Sequence, residues 1–400
     1  MTALERKIFS WIEQYKEQLY FVILSVFGLI LRWCCKDYVS GDASVYLLKW
    51  YREIKEGGGF AALDNQVGDY NIPYQILICL MTYIPAEPLY LFKGLSILFD
   101  YILAGAVFGF VRDLNKDKSS WIPLFAYAAV LFLPTVILNS SVWGQCDAIY
   151  AAFCVLAVWM LYRKKFTASF VFLGFAFSFK LQAVFILPFF IFYYVQEKNY
   201  SIFMYLWIFV INYLVCIPAF LVGRSHRDLF RIYFGQTKSY SDMWANFPSF
   251  WVLIGNDDKT LHYPAIFLTI ALLGSMLLLL MERKTDLAEK KNFILLLTWS
   301  IWTCVLFLPS MHERYAYLLD LALLILTFVD RKYAGYFALS ESISCFTYGR
   351  YLYNRMDEID LVPLSVAYTI GYAVFTFCLV RNLVPFHRKQ EMAVKKESCS

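Results

Sequence analysis

The chain has 400 residues, 60% of them hydrophobic, 20% aromatic and only 17% charged, against roughly 45–50% apolar and 25% charged in soluble domains; this excludes an ordinary soluble globule. Thirty-six basic and 31 acidic residues leave a net charge of +5, scattered over loops with no run of interleaved polar readers, which excludes a nucleic-acid partner. At about 20 residues per crossing, twelve membrane spans would use roughly that same hydrophobic share, so the composition predicts an all-α polytopic bundle of about twelve spans.

From the N-terminus, residues 1–18 carry charge, yet Leu4, Ile8, Ile12, Tyr15 and Leu19 recur at three- and four-residue steps. That spacing predicts an amphipathic cytoplasmic helix lying in the membrane plane. No small-residue cleavage site follows, so the segment is expected to be retained. Apolar runs then predict spans at 19–35, 88–111, 121–138, 148–162, 166–179, 181–195, 201–221, 262–281, 293–308, 315–329, 333–348 and 361–380. The stretch 72–85 is apolar but, at about 14 residues, too short to cross, and reads as a re-entrant or interfacial helix. Ten cysteines form no Cys-x-x-Cys pair and mostly lie in apolar runs, the usage of buried thiols.

Loop charge sets the orientation. With both termini cytoplasmic, the inner loops hold Arg6, Lys7 and Lys16, then Arg112, Lys116 and Lys118, then Arg163, Lys164 and Lys165. They continue with Lys198, with Arg283, Lys284, Lys290 and Lys291, and with Arg331 and Lys332; a basic tail, 381–400, adds Arg381, Arg388, Lys389, Lys395 and Lys396. This obeys the positive-inside rule only if 72–85 does not cross. The extracytoplasmic side of the cell membrane then holds a first loop with helical spacing (36–71 plus the short helix), a loop at 222–261, and connections at 139–147, 180–182 and 309–314.

Each outer element carries residues with both structural and chemical uses. Asp42, just above the first span, is placed to take a proton from a hydroxyl or to cap the helix that follows; Asp69 and Tyr70 invite the same ambiguity at the start of the short helix. Trp143, Gln145 and Asp147 lie in a glycine-bearing turn, where an indole beside an amide and a carboxylate suits a sugar and a lone tryptophan suits the interface. Lys180, with Gln182 near it, either snorkels to headgroups or neutralises a phosphate. His312, Arg314 and Tyr315 combine an imidazole, a guanidinium fork suited to phosphate oxygens and a phenol, or anchor the loop at the interface. His312, at an ordinary pKa of about 6.5, would donate fully only when protonated. Lys93, Asp100 and Asp320 lie within apolar segments, where charge flags a functional site by default.

There is no phosphate-cradling glycine loop, no His-Glu-x-x-His, no Gly-x-Ser-x-Gly and no Asp-x-Asp. Nucleotide sugars are made in the cytosol, so an activated group used outside would arrive in the bilayer.

Gly41-Asp42, Tyr70-x-x-Pro73-Tyr74, Trp143-Gly-Gln-x-Asp147, Lys180-x-Gln182 followed by Pro188, and Met311-His-Glu-Arg-Tyr315 together resemble the GT-C superfamily of polyprenyl-phosphate-sugar-dependent glycosyltransferases. Within it they resemble the bacterial branch related to the GPI second-mannose transferases. The resemblance covers about residues 20–330. It implies a GT-C-type catalytic module over 19–330, additional spans over 331–380, and an inverting transfer of a hexose, mannose by the family's habit. The donor would be a polyprenyl-phosphate sugar, and the acceptor a hydroxyl of a membrane-associated or cell-surface glycan or glycolipid. It further implies that Asp42 is the base and that His312 and Arg314, with Lys180, meet the lipid phosphate. Trp143, Gln145 and Asp147, with Asp69, Tyr70, Gln182 and Tyr315, would line the sugar or acceptor pocket. Gly41-Asp42-Ala43-Ser44 has one carboxylate where some relatives have a pair, so neither metal nor other cofactor is expected, and 333–400 carries no motif of the family. Rival readings are a transporter or lipid-linked-sugar flippase, against which stands the lack of an inverted repeat, and a surface-polysaccharide polymerase or ligase, which would carry more arginine in its large outer loops.

Overall fold

The structure is a computed structural model that describes residues 1–115, 117, 120–239, 242–255, 259–356 and 358–383. Lys116, Lys118, Cys399 and the tail residues Arg388, Lys389, Lys395 and Lys396 lie outside the described residues. The described chain is nearly all helix. Prolines in the first two positions open Ile72–Met81, Pro88–Leu114, Ile122–Phe132, Pro134–Ile137, Leu187–Glu197 and Ile217–Leu221, where the missing N–H would have had no helical acceptor. Thr2 and Glu5 form a reciprocal capping box at the start of Ala3–Cys34.

Each of the twelve predicted apolar stretches falls on a helix or a run of short helices. Four are long and apolar enough to cross a membrane: Ala3–Cys34, Pro88–Leu114, His262–Arg283 and Leu361–Leu383. A fifth is the pair Ile122–Phe132 and Pro134–Trp143, bent by 47° where Pro134 interrupts the hydrogen-bond ladder. The N-terminal segment is helical and runs into the first span through a kink at Tyr15, where φ −113° and ψ 16° separate two helices. The short helix Ile72–Met81 has ten residues, eight of them buried, and at 1.5 Å per residue it spans about half a bilayer core.

Burial sorts the helices. Every residue from Phe293 to Phe307 is buried, as is every residue from Tyr317 to Leu326, so these two helices, apolar on all sides, form the centre. By contrast Ala3–Cys34 buries only Gly28 and Arg32. A second, smaller core sits apart from it, where Leu47, Trp50, Tyr51, Ile54 and Leu63 pack on Ile72–Met81 together with Cys146 and Ile149. Gly68 adopts φ +70°, and a Cβ there would meet the Trp50 ring at 2.2 Å, so only glycine lets the first loop close over the indole.

The charges within apolar segments are fastenings of the fold. Asp100 takes the Arg32 Nε–H at 2.8 Å, both side chains fully buried, while Arg32 Nη1 also donates to the Gly28 and Leu131 carbonyls. Lys93 Nζ donates to the carbonyls of Cys35, Lys36 and Tyr38 at 3.1, 2.9 and 2.6 Å, satisfying acceptors at the end of the first helix. Asp320 accepts from Ser340 and Ser344.

Removing one member of a buried ion pair strands the other charge, which typically costs about 3–5 kcal/mol, whereas replacing both with apolar residues is near neutral. Arg32→Met should therefore lower the melting temperature in detergent sharply, and Arg32→Met/Asp100→Leu should recover most of the loss. A double variant no more stable than the single one would show that the pair does not fasten the first helix.

Candidate functional site

The turns that carry Asp42, Trp143, Lys180 and Arg314 converge. Leu138–Trp143 is a wide helical turn that ends at Gly144 with φ +79°, and this left-handed residue lets Trp143 and Gln145 face the same carboxylate. Asp42 Oδ2 accepts from Trp143 Nε1 at 3.0 Å and from Gln145 Nε2 at 2.7 Å. Its Oδ1 accepts from the Tyr351 hydroxyl at 2.7 Å. A carboxylate offers about four acceptor positions; three are filled and one remains. The turn is pinned by Ser40 to the Trp143 carbonyl at 2.8 Å and by Ser96 to the Gln145 carbonyl at 2.6 Å. Tyr70 extends the chain by donating to Gln145 Oε1 at 2.6 Å; burial holds its phenol well above the ordinary value, so it stays an O–H donor.

Beside this cradle lies an ionic cluster. Asp147 is fully buried and is paired with Lys180 Nζ, with Asn139 Nδ2 at 2.9 Å and with Arg314 Nε at 3.5 Å. Arg314 Nη1 reaches Glu313 at 3.0 Å and Asp42 at 4.0 Å, and its guanidinium lies 5.4 Å from the Trp143 ring centre. Burial lifts Glu313 to about 7 despite Arg314. Two residues of the connection, Met311 and His312, pair in parallel with Trp244 and Ala245, and Ser310 N donates to the Met243 carbonyl at 2.9 Å, so the loop from 222 onward holds the Arg314 segment in place.

A cavity of about 890 Å³ opens next to the cluster, and Asp69, Tyr70, Lys180, Gln182, Arg314 and Tyr315 are on its walls. Gln182 Oε1 is buried there and has no hydrogen-bond partner among the described residues. Arg231, largely exposed, lines the same cavity and faces Asp228 at 3.8 Å. Arg224 does not take part: it is buried and tied to Gln66, Gln75 and the Asn65 carbonyl.

Three expectations change. Trp143, Gln145 and Asp147 are 0%, 2% and 0% exposed, so they position Asp42, Lys180 and Arg314 from beneath and do not line the cavity. The Asp42 carboxylate makes no capping hydrogen bond to the helix it precedes, and the Ser44 N–H goes to the Ser40 carbonyl at 3.1 Å instead. His312 does not titrate near 6.5: burial first, then Arg314 and Lys180, lower it to about 3, so at neutral pH it offers one N–H and one acceptor and no charge.

Tyr351 is a partner of Asp42 that reading the sequence missed. It lies 309 residues from Asp42, in the part of the chain without a motif, and stacks on Trp143 at 5.1 Å. Tyr348, one turn earlier, packs edge-on against the same indole and accepts from Asn139 at 3.4 Å. The only hint in the chain is this tyrosine pair at the end of an apolar helix. No family model matches the chain, and no curated protein does.

The two shifted groups of this connection pull stability in opposite directions. Between pH 6.5 and 3 the unfolded chain protonates His312 and the folded chain does not, so His312 weakens the fold as pH falls. Between 4.5 and 7 the folded chain keeps a proton on Glu313 that the unfolded chain releases, so Glu313 weakens the fold as pH rises. From pH 4.5 to 6.5 the unfolding free energy, read from denaturation at each pH, should fall with pH in His312→Asn and rise with pH in Glu313→Gln, each by at most about 1.4 kcal/mol per pH unit. Parallel profiles in the two variants would refute both assignments.

Proposed function

We propose that the chain is an integral-membrane inverting glycosyltransferase that moves a hexose, mannose by resemblance, from a polyprenyl-phosphate donor to a hydroxyl of a membrane-associated or cell-surface glycan. The reading is supported most by one juxtaposition. A carboxylate with a single open acceptor position lies 4.0 Å from a guanidinium that lines, with Lys180, a cavity of about 890 Å³.

In the proposed step the acceptor hydroxyl fills the open position on Asp42 and passes it a proton. Its oxygen forms the new bond to the anomeric carbon as that carbon's bond to the phosphate oxygen breaks, and the electron pair leaves on the phosphate. Arg314 and Lys180 hold the leaving charge, and the neutral His312 adds one hydrogen bond. The products are the glycosylated acceptor and the polyprenyl phosphate. A phosphate ester paired with cations leaves readily, so no acid is needed.

Asp42→Asn tests the base with little disturbance. The amide oxygen can accept from Trp143 and Gln145, and the amide N–H₂ can donate to the Tyr351 hydroxyl. Transfer from a radiolabelled polyprenyl-phosphate hexose should fall by about 10²–10⁴ with the melting temperature held; full activity would move the base elsewhere. Arg314→Lys keeps the charge but loses the fork. A charge-assisted hydrogen bond contributes about 1.5–3 kcal/mol, so turnover should drop roughly ten- to a hundredfold.

We further propose that all twelve helical stretches cross, with both termini cytoplasmic and the cavity on the extracytoplasmic side. In a Cys34→Ser background, single cysteines at the exposed positions Glu56 and Arg227 should label from outside, and those at Asp117 and Lys164 only after permeabilisation. Outside labelling at Asp117 would invert the assignment.

A further inference from the structure

Asp42, Tyr46 and Trp50 recur every fourth residue along the helical run that opens the first loop, so each lies about one turn beyond the last. The three differ in exposure. Asp42 and Trp50 are 8% and 7% exposed, whereas Tyr46 is 46% exposed and lines the cavity. Tyr46 is also backed: its ring centre is 5.9 Å from that of Trp50, which packs edge-on against Tyr70 at 5.2 Å. Trp50 in turn is fixed by Gly68, where no larger residue fits. Tyr70 closes the circuit to the carboxylate through Gln145. An aromatic face backed by Trp50 thus lies about one turn along the run from Asp42. Asn65, Gln66 and Asp69 are on the walls of the same cavity.

We propose that Tyr46 is the platform on which a sugar ring of the glycan acceptor lies. The proposal rests on the transferase reading and assigns the residue that seats its acceptor. The chemistry is that of a pyranose: its C–H face suits the electron-rich face of an aromatic ring, and its hydroxyl rim suits the amides and carboxylate nearby. A ring seated on Tyr46 also brings its hydroxyls to the neighbouring turn, where Asp42 waits.

The test uses the full-length protein in membranes, radiolabelled polyprenyl-phosphate mannose as donor and methyl α-mannoside as soluble acceptor. Tyr46→Ala should raise the acceptor KM by roughly three- to tenfold, the range of an aromatic face contact, with the donor KM held. Tyr46→Phe and Tyr46→Trp, which keep the face, should keep the acceptor KM. Release of labelled mannose to water, which needs no platform, should persist in Tyr46→Ala. An unchanged acceptor KM in Tyr46→Ala, an equal rise in Tyr46→Phe, or transfer to lipid or peptide hydroxyls with none to saccharides would overturn the platform while leaving the transferase reading intact. Neither transfer nor release of mannose by the unaltered protein would overturn both.

Discussion

Arg314 is the charge around which the candidate site is arranged. Three carboxylates, on Glu313, Asp147 and Asp42, lie at 3.0, 3.5 and 4.0 Å from it, and they come from three separate stretches of chain. Lys180 adds the only other cation paired with Asp147 among the described residues. In a water-poor interior, such acids stay close together only because the guanidinium is between them. Its planar fork matters as much as its charge, since Nε and Nη1 address different acids. The packing around it follows suit: Trp143 lies against the guanidinium, Tyr351 against Trp143, and the strand pairing at Met311–His312 holds the backbone from which Arg314 projects.

The helical framework was legible because apolar runs of 15 to 20 residues have few alternatives to helix in this composition. The apolar stretch 72–85 forms a helix of only ten residues, Ile72–Met81. What length alone could not show is where a helix bends or how deep it is buried. The run at 121–138 looks continuous in composition, yet Pro134 breaks it; the stretch Phe293–Phe307 is wholly buried, while Ala3–Cys34 buries only Gly28 and Arg32. The identities of Asp42, Lys180 and Arg314 were legible because charge is rare in this chain and its place in a short turn is conspicuous. Their division of labour was not. Trp143, Gln145 and Asp147 carry the residue types of a sugar pocket and are buried supports, a difference set by how tightly the Gly144 turn packs. Tyr351 was beyond reach, since a tyrosine in a chain with 30 of them carries no signal until the fold places it.

Two cores meet at the site. The larger, built on Lys290–Phe307 and Tyr317–Val329, anchors Arg314 and Tyr351 from below; the smaller, built on Ile72–Met81, carries Asp42 and Tyr70. The carboxylate and the cation therefore belong to different packing units, joined through hydrogen bonds and ion pairs at their boundary. This arrangement places rigid support on both sides of the polar groups and leaves the cavity along the seam.

The three donors to Asp42 bear on something beyond its charge. Because Trp143, Gln145 and Tyr351 fix both oxygens, the carboxylate cannot swivel to meet a proton from an arbitrary direction. For the proposed transfer, a pyranose offers several hydroxyls of nearly equal acidity, and only the one whose O–H points along the remaining lone pair would be deprotonated. Regiochemistry, the choice of which carbon of the acceptor carries the new linkage, would then be written in an indole, an amide and a phenol that never touch the sugar.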